Sequence, residues 1–454
     1  MELAGEFVPV SPFAKECLEV FRKLLKFDTS NPPGNETPAA EFLADLAARE
    51  GFQPELHEKA PGRGNLVFRW GGTDPDAPSV CVGGHLDTVP ADPDEWERDP
   101  WGADVVDGFV WGRGALDCKN TVVGQFMALA LLKREGFRPR GDVVFVAEAD
   151  EEQLGRCGAA YLVRELFPVV KADFAVNEGG GVLVPFGKTP QYTIQTSEKG
   201  CMWTKVRVRG TAGHGSVQTT SRTNALLKLV EVIERIDRAR KPVVVTDWYR
   251  EMVAGLQLPG LVKRLLTSKR LLPLTLKLAA RAFGPVAEEF VGSLVRNTFN
   301  PTVVKASEKE NVVPSSAEVV YDVRVLPGFD REDVTREFLR MVGPDLEDQV
   351  ELVPVESSVA TGSPAATTCY RRIEETLQEL HPGCTTLPFF LSGATDNRFF
   401  RERGIPAYGF VPYVPDDDLP FEEYGKLIHG KDERISVANL MRGVAFFHEF
   451  LRKW

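Results

Sequence analysis

The sequence predicts an α/β protein in which a mostly parallel sheet flanked by helices is interrupted by an inserted α+β domain. Three observations carry this expectation. The chain has 454 residues, too many for one ordinary core and enough for two. Short apolar runs alternate with helical patterns in both the first and the last parts of the chain, as helix-covered parallel strands require. Near Ser197 the pattern changes to period-two alternation, the mark of strands with only one face buried.

Residues 12–50 read as helix, with Leu18, Phe21, Leu24 and Leu25 at helical spacing. The turn-forming Ser30-Asn31-Pro32-Pro33-Gly34 breaks this pattern, and a second helix starts from Pro38. Apolar runs at 65–68, 79–82, 142–147 and 174–177 have the length of buried strands, and helical patterns at 121–135 and 157–166 lie between some of them. Residues 201–209 and 318–325 alternate as half-exposed strands, and 224–239 is amphipathic. The stretch 250–295 is helical and leucine-rich, basic on one side through Lys263, Arg264, Lys269, Arg270, Lys277 and Arg281. Such a helix can lie on anionic lipid, but the expectation here is a helical hairpin packed on its own domain, without membrane-surface contact. Beyond Ala360 the α/β character returns with a helix at 368–380, a strand at 407–411 and a final helix at 437–454. The expected domains are therefore 1–198 with 361–454, and 199–360.

Composition narrows the function. A chain that is 43% hydrophobic and 26% charged is globular rather than disordered. Its net charge of −11 argues against nucleic acid, whose phosphates need clustered cations. The N-terminus carries Glu2 and Glu6 and lacks the basic start and apolar run of a secretory leader, so a cytoplasmic location is expected. No apolar run approaches the roughly 20 residues that span a bilayer. Seven scattered cysteines without a CxxC pair read as reduced and mostly buried thiols.

The chemistry-bearing residues stand mainly at the ends of the expected strands, where open parallel sheets place their ligands. The run from Val80 to Pro90 delivers His85 and Asp87 with period-two spacing, so the carboxylate is placed to orient an imidazole that binds metal. Alone, a strand-end histidine is more often a hydrogen-bonded structural residue. Trp111 to Asn120 is a glycine-bearing loop that brings Asp117 to the start of a helix, where it serves either as an N-cap or as a carboxylate shared by two metals. Glu148-Ala149-Asp150-Glu151-Glu152 concentrates four carboxylates that repel one another without a cation, although a solvated acidic turn is the simpler reading. Glu178 follows a further apolar strand, and His429 lies in a loop ahead of the last helix. The ordered set of His, Asp, Glu-Glu, Glu and His is far rarer than its parts. Two histidines and three carboxylates suit two Zn(II) ions, each with one nitrogen, one terminal carboxylate and one shared carboxylate. One glutamate of the pair then remains for proton transfer.

These residues resemble the M20 metallopeptidase and amidohydrolase family, which includes aminoacylase-1, succinyl-diaminopimelate desuccinylase and bacterial glutamate carboxypeptidases. The resemblance covers nearly the whole chain. It implies a parallel-sheet zinc-hydrolase catalytic domain with an inserted lid or dimerisation domain. His85 and Glu178 resemble the ligands of one zinc, Glu152 and His429 those of the other, Asp117 the bridge, Glu151 the general base and Asp87 the partner of His85. Co(II) or Mn(II) are alternative metals. Gly210-Thr211-Ala212-Gly213-His214-Gly215-Ser216 resembles the segment whose histidine stabilises an oxyanion in the partner subunit's site. Asn311 and Arg324 match residues that hold a substrate carboxylate, and Gly393 lies in a loop like the one beside the substrate. Asn120 and Asn177 depart from the family pattern without removing a ligand.

The segments around Val295-Arg296-Asn297-Thr298, Phe399-Phe400 and Glu433-Arg434-Ile435-Ser436 are similar to the carboxypeptidase S and PM20D1-like group. The implied activity is hydrolysis of an amide next to a free carboxylate, in an N-acyl amino acid or short peptide, by a homodimer. A biosynthetic desuccinylase or deacetylase, or a dipeptidase, is the alternative.

Overall fold

Val143–Glu148, Val80–His85, Phe174–Asn177 and Ala407–Gly409 lie side by side in that order as four parallel strands. Their apolar sequences follow from burial on both faces. Val143, Phe145 and Ala147 pack into one core with Phe21, Leu43, Phe126 and Phe447, whereas Val144 and Val146 pack into another with Leu162, Val163 and Phe400. The first core is covered by helices Pro12–Leu25, Thr37–Arg49, Lys119–Arg134 and Val437–Leu451, the second by Ala159–Glu165 and Asn397–Glu402. Ser11 caps the first helix by accepting the Ala14 N–H, ahead of a proline in the first turn.

The computed structural model describes residues 11–184, 187–283, 286–416, 419 and 421–454. The N-terminal residues Glu2 and Glu6, read above for the absence of a leader, lie outside the described residues. Two compact units emerge. The first takes in the described residues up to Thr196, with Gly362–Phe389 and Thr395–Trp454. Around its parallel centre the sheet turns antiparallel, through Gly64–Trp70 and Glu55–Glu58 on one side and Gln191–Glu198 on the other. Periodicity did not reveal the last of these strands, because Gln191, Thr193, Gln195 and Ser197 are polar yet buried. Internal hydrogen bonds hold several of them; Gln195, for example, accepts from Asn397 and Arg401.

The second unit comprises Ser197–Thr361 and Phe390–Ala394. Its sheet is antiparallel, with Ser316–Val325 paired to both Thr204–Arg209 and Thr298–Lys305. Alternate residues of Ser316–Val325 are buried beneath helices Ala225–Arg238 and Arg331–Val342. The stretch expected as a helical hairpin is instead four short helices, Asp247–Gly255, Gly260–Thr267, Leu272–Phe283 and Val286–Leu294. Pro259 and Pro273 punctuate that run, consistent with proline's preference for helix starts. Among the described residues no helix is long and apolar enough to cross a membrane.

Candidate metal centre and active site

The parallel strands bring their ends together as the alternating pattern requires. His85 closes Val80–His85 and sits in register with Glu148, the last residue of its neighbour. From Glu148 the chain turns at once into Glu151 and Glu152, and Phe174–Asn177 hands over directly to Glu178. Asp117 arrives on the loop before helix Lys119–Arg134. His429 is presented from a turn at φ 60°, a left-handed conformation that costs on the order of 1 kcal/mol or more in a non-glycine residue.

Asp117 lies between two half-sites. Its Oδ1 is 3.0 Å from His85 Nε2, and Glu178 Oε2 is 3.5 Å from the same nitrogen. Its Oδ2 is 3.2 Å from His429 Nε2, which also lies 3.1 Å from Glu152 Oε2. His85, Asp117 and Glu178 thus converge, together with the Cys118 thiol, and Asp117, Glu152 and His429 converge beside them. Each group offers one imidazole and two carboxylates, and the Glu152 Oε1 atom is buried without a hydrogen-bond partner. This donor set fits a divalent cation in each half-site, with Asp117 shared.

Without a cation the charges adjust to one another. Hydrogen bonds to Asp117 and Glu152 push the His429 pKa up to about 11. Burial opposes charge on His85, but its anionic surroundings outweigh burial and raise its pKa too. Asp117 is buried, yet hydrogen bonds from His429 and His85 hold its carboxyl below the usual range. Burial lifts Glu152 to about 7. Glu151 is raised well above a normal glutamate, by burial first and then by the charge of Glu178. It belongs to neither half-site, and the Arg398 guanidinium lies 3.6 Å from its Oε1.

A supporting layer holds these groups. Asp87 faces His85 Nδ1 with its backbone carbonyl at 2.9 Å and a carboxylate oxygen at 3.5 Å. The same carboxylate accepts the backbone N–H of Glu151 at 3.0 Å, that of Glu152 at 3.1 Å and the Asn31 amide at 2.8 Å. Asp87 therefore aligns the imidazole and fixes the glutamate pair at once. The four-carboxylate run divides by environment: Glu148 stays in the sheet, and Asp150 pairs with Arg63, which also forks onto Glu36.

Sequence reasoning did not give Asn31, Arg63, Arg398 or Glu433 a role. Glu433 accepts backbone N–H groups of Gly114, Leu116 and Asp117 and pairs with buried Arg113. Its place four residues after His429 was a signal that it belonged to the same loop system.

The other singled-out residues belong to the second unit. His214 lies on the short strand Gly213–His214, which pairs with Val312–Val313, and is exposed, with Nδ1 at 2.8 Å from Ser216 Oγ. Asn311 is its neighbour across this ladder, accepting the Gly215 N–H through its carbonyl at 2.8 Å. Arg324 ends near the edge of Ser316–Val325, where Asp322 grips its Nε and Nη2 at 2.6 and 2.9 Å. Gly393 sits in Phe390–Ala394, and only the Leu391 side chain would come near an added Cβ there.

Residues 81–453 match the family model for peptidase family M20/M25/M40, and the chain belongs to that family. Fold and site define a metal-dependent hydrolase acting on amide or peptide bonds. The chain is similar to the N-fatty-acyl-amino acid synthase/hydrolase PM20D1 of Homo sapiens, with 27% identity over 96% of this chain and 87% of the relative. It is similar also to Aminoacylase-1 of Homo sapiens, with 28% identity over 95% and 93%. Among solved structures, the M20 family metallo-carboxypeptidase Sso-CP2 from Sulfolobus solfataricus shares the fold at a TM-score of 0.72, with 18% identity over 96% of this chain and 98% of that one.

Proposed function

We propose that the protein hydrolyses the amide of an N-acyl amino acid, or the C-terminal amide of a short peptide, next to a free carboxylate. The observation that supports this reading most is the division of Asp117, one oxygen toward each histidine, with Glu151 left outside both half-sites. Two Zn(II) ions are the proposed metals, held by His85 and Glu178, by Glu152 and His429, and jointly by Asp117. When bound, they supply a polarised carbonyl and water that ionises near neutrality. Glu151 takes the proton of the attacking water and delivers it to the leaving nitrogen. Asp87 keeps the Glu151 backbone in place throughout.

In the second unit, His214 is the proposed donor to the developing oxyanion. Arg324, its fork oriented by Asp322, and Asn311 are assigned to the substrate carboxylate, with Gly393 as a backbone contact. A homodimer through this unit is supported by two apolar surfaces. Val303 and Val304 are exposed on Thr298–Lys305, and helix Ala225–Arg238 leaves Leu226, Leu227 and Val230 outward. The relatives named for acyl amino acids favour an apolar acyl group.

A panel of N-acyl amino acids, their amides and dipeptides, assayed by amine release with defined metal, tests the reading. The free acids should be the substrates and the amides poor ones. Equal turnover of acid and amide would remove the role of the free carboxylate.

A further inference from the structure

In a chain of net charge −11, residues 256–287 hold six cations and not one Asp or Glu. Part of that stretch forms the helix Leu272–Phe283, entered through a turn in which the Leu271 carbonyl already accepts the N–H groups of Leu274 and Thr275. Leu271, Leu274 and Leu278 follow i, i+3, i+7 spacing, which puts them on one face. Leu272 and Leu276, on the opposite side, are 0% and 1% exposed, whereas the three leucines are 47%, 59% and 55% exposed. Lys277 and Arg281, four residues apart in the helix, border the leucine face, and Arg270 stands in the turn that enters it, at i, i+7, i+11 spacing with them. All three are exposed, and among the described residues none of them makes an ion pair.

We propose that this face docks on an anionic lipid surface, with the leucines seated among acyl chains and the cations on headgroup phosphates. Exposed leucines bordered by unpaired cations are what an interfacial helix presents to such a surface. This proposal departs from the expectation of a helical hairpin packed on its own domain without membrane-surface contact. A second copy of the chain fits less well, because a two-fold contact would set these cations against their own copies. Nucleic acid would satisfy the cations and leave the leucines in water.

The experiment is flotation of the full metal-loaded chain with vesicles of pure phosphatidylcholine or of phosphatidylcholine mixed with phosphatidylglycerol. Two variants go alongside, Leu271→Ser/Leu274→Ser/Leu278→Ser and Arg270→Glu/Lys277→Glu/Arg281→Glu. All six side chains are exposed, so hydrolytic activity on a soluble substrate should persist in both and certifies folding. Binding to the anionic vesicles alone, weakened by salt and reduced about tenfold or more in each variant, is the expected result. Three outcomes overturn the proposal: no binding to anionic vesicles, undiminished binding by either active variant, or a shift with an RNA oligomer in place of vesicles. A wild type that self-associates through this face, dissociated by the serine variant and indifferent to lipid, overturns it in favour of a second copy.

Discussion

Glu433 accepts the backbone N–H of Asp117 at 3.1 Å, although 316 residues separate the two. The contact ties the loop that presents the shared carboxylate to the loop that presents His429. Three further interactions, from Gly114, Leu116 and Arg113, end on the same buried carboxylate.

Glu433→Ala should therefore be costly twice over. It strands the buried Arg113 guanidinium and leaves three backbone N–H groups without their acceptor, a loss on the order of 3–5 kcal/mol. It also frees Asp117, so metal affinity should fall together with stability. Urea denaturation of metal-free and metal-loaded protein measures both, and a variant with unchanged midpoints would show that the loop holds its shape without Glu433.

Glu151→Gln should separate proton transfer from metal binding. The side chain keeps its size and belongs to neither half-site, so metal content should remain at the wild-type value. Turnover should fall by on the order of a hundredfold or more. A near-normal rate in a fully loaded sample would reassign the base.

Metal uptake should release protons. In the metal-free site the His429 pKa stands near 11 and that of His85 is raised, so both imidazoles are charged at neutral pH. A metal needs them neutral. The sign follows: lower pH favours the protonated, metal-free form, and affinity rises with pH. Titration calorimetry in buffers of different ionisation enthalpy should show release of about two protons from the imidazoles, each of which must give up one, and a further fraction from Glu152, whose pKa stands at about 7. Heats independent of the buffer would contradict the charged imidazoles.

These expectations rest on a site whose core was legible in the sequence, for a physical reason. A parallel sheet collects its ligands at strand ends, so His85 and Glu178 stood out as polar residues at the end of apolar runs, and Glu151 and Glu152 as acids just beyond another. The layer behind them did not. Asn31 stood in a turn-forming run and Glu433 in a segment noted only for its family likeness, and neither they nor Arg398 showed a role, because their partners lie far off in sequence and no period connects them. The same limit applied to Gln191–Glu198, whose alternation of polar side chains reads as exposed until the hydrogen bonds that bury them are seen. In the second unit, helix was legible across 250–295, but its division into four pieces was not, since proline marks boundaries without fixing which turns pack.

The last prediction is that two subunits share each active site. His214 is exposed on a two-residue strand, and among the described residues only Ser216 engages its imidazole through a side chain, an arrangement that suits a donor brought to substrate by closure. If it completes the partner's site, then His214→Ala and Glu151→Gln are each inactive for different reasons, and mixing them should restore activity. A mixed dimer carries one site that lacks both groups and one that has both. After full exchange of an equal mixture, half the dimers are mixed and each has one intact site of two. About a quarter of wild-type activity should then return, provided the sites act independently. Subunit exchange is followed separately, by energy transfer between labelled variants. Exchange without recovery would place His214 in the site of its own chain, and a fully active monomer would remove the partner altogether.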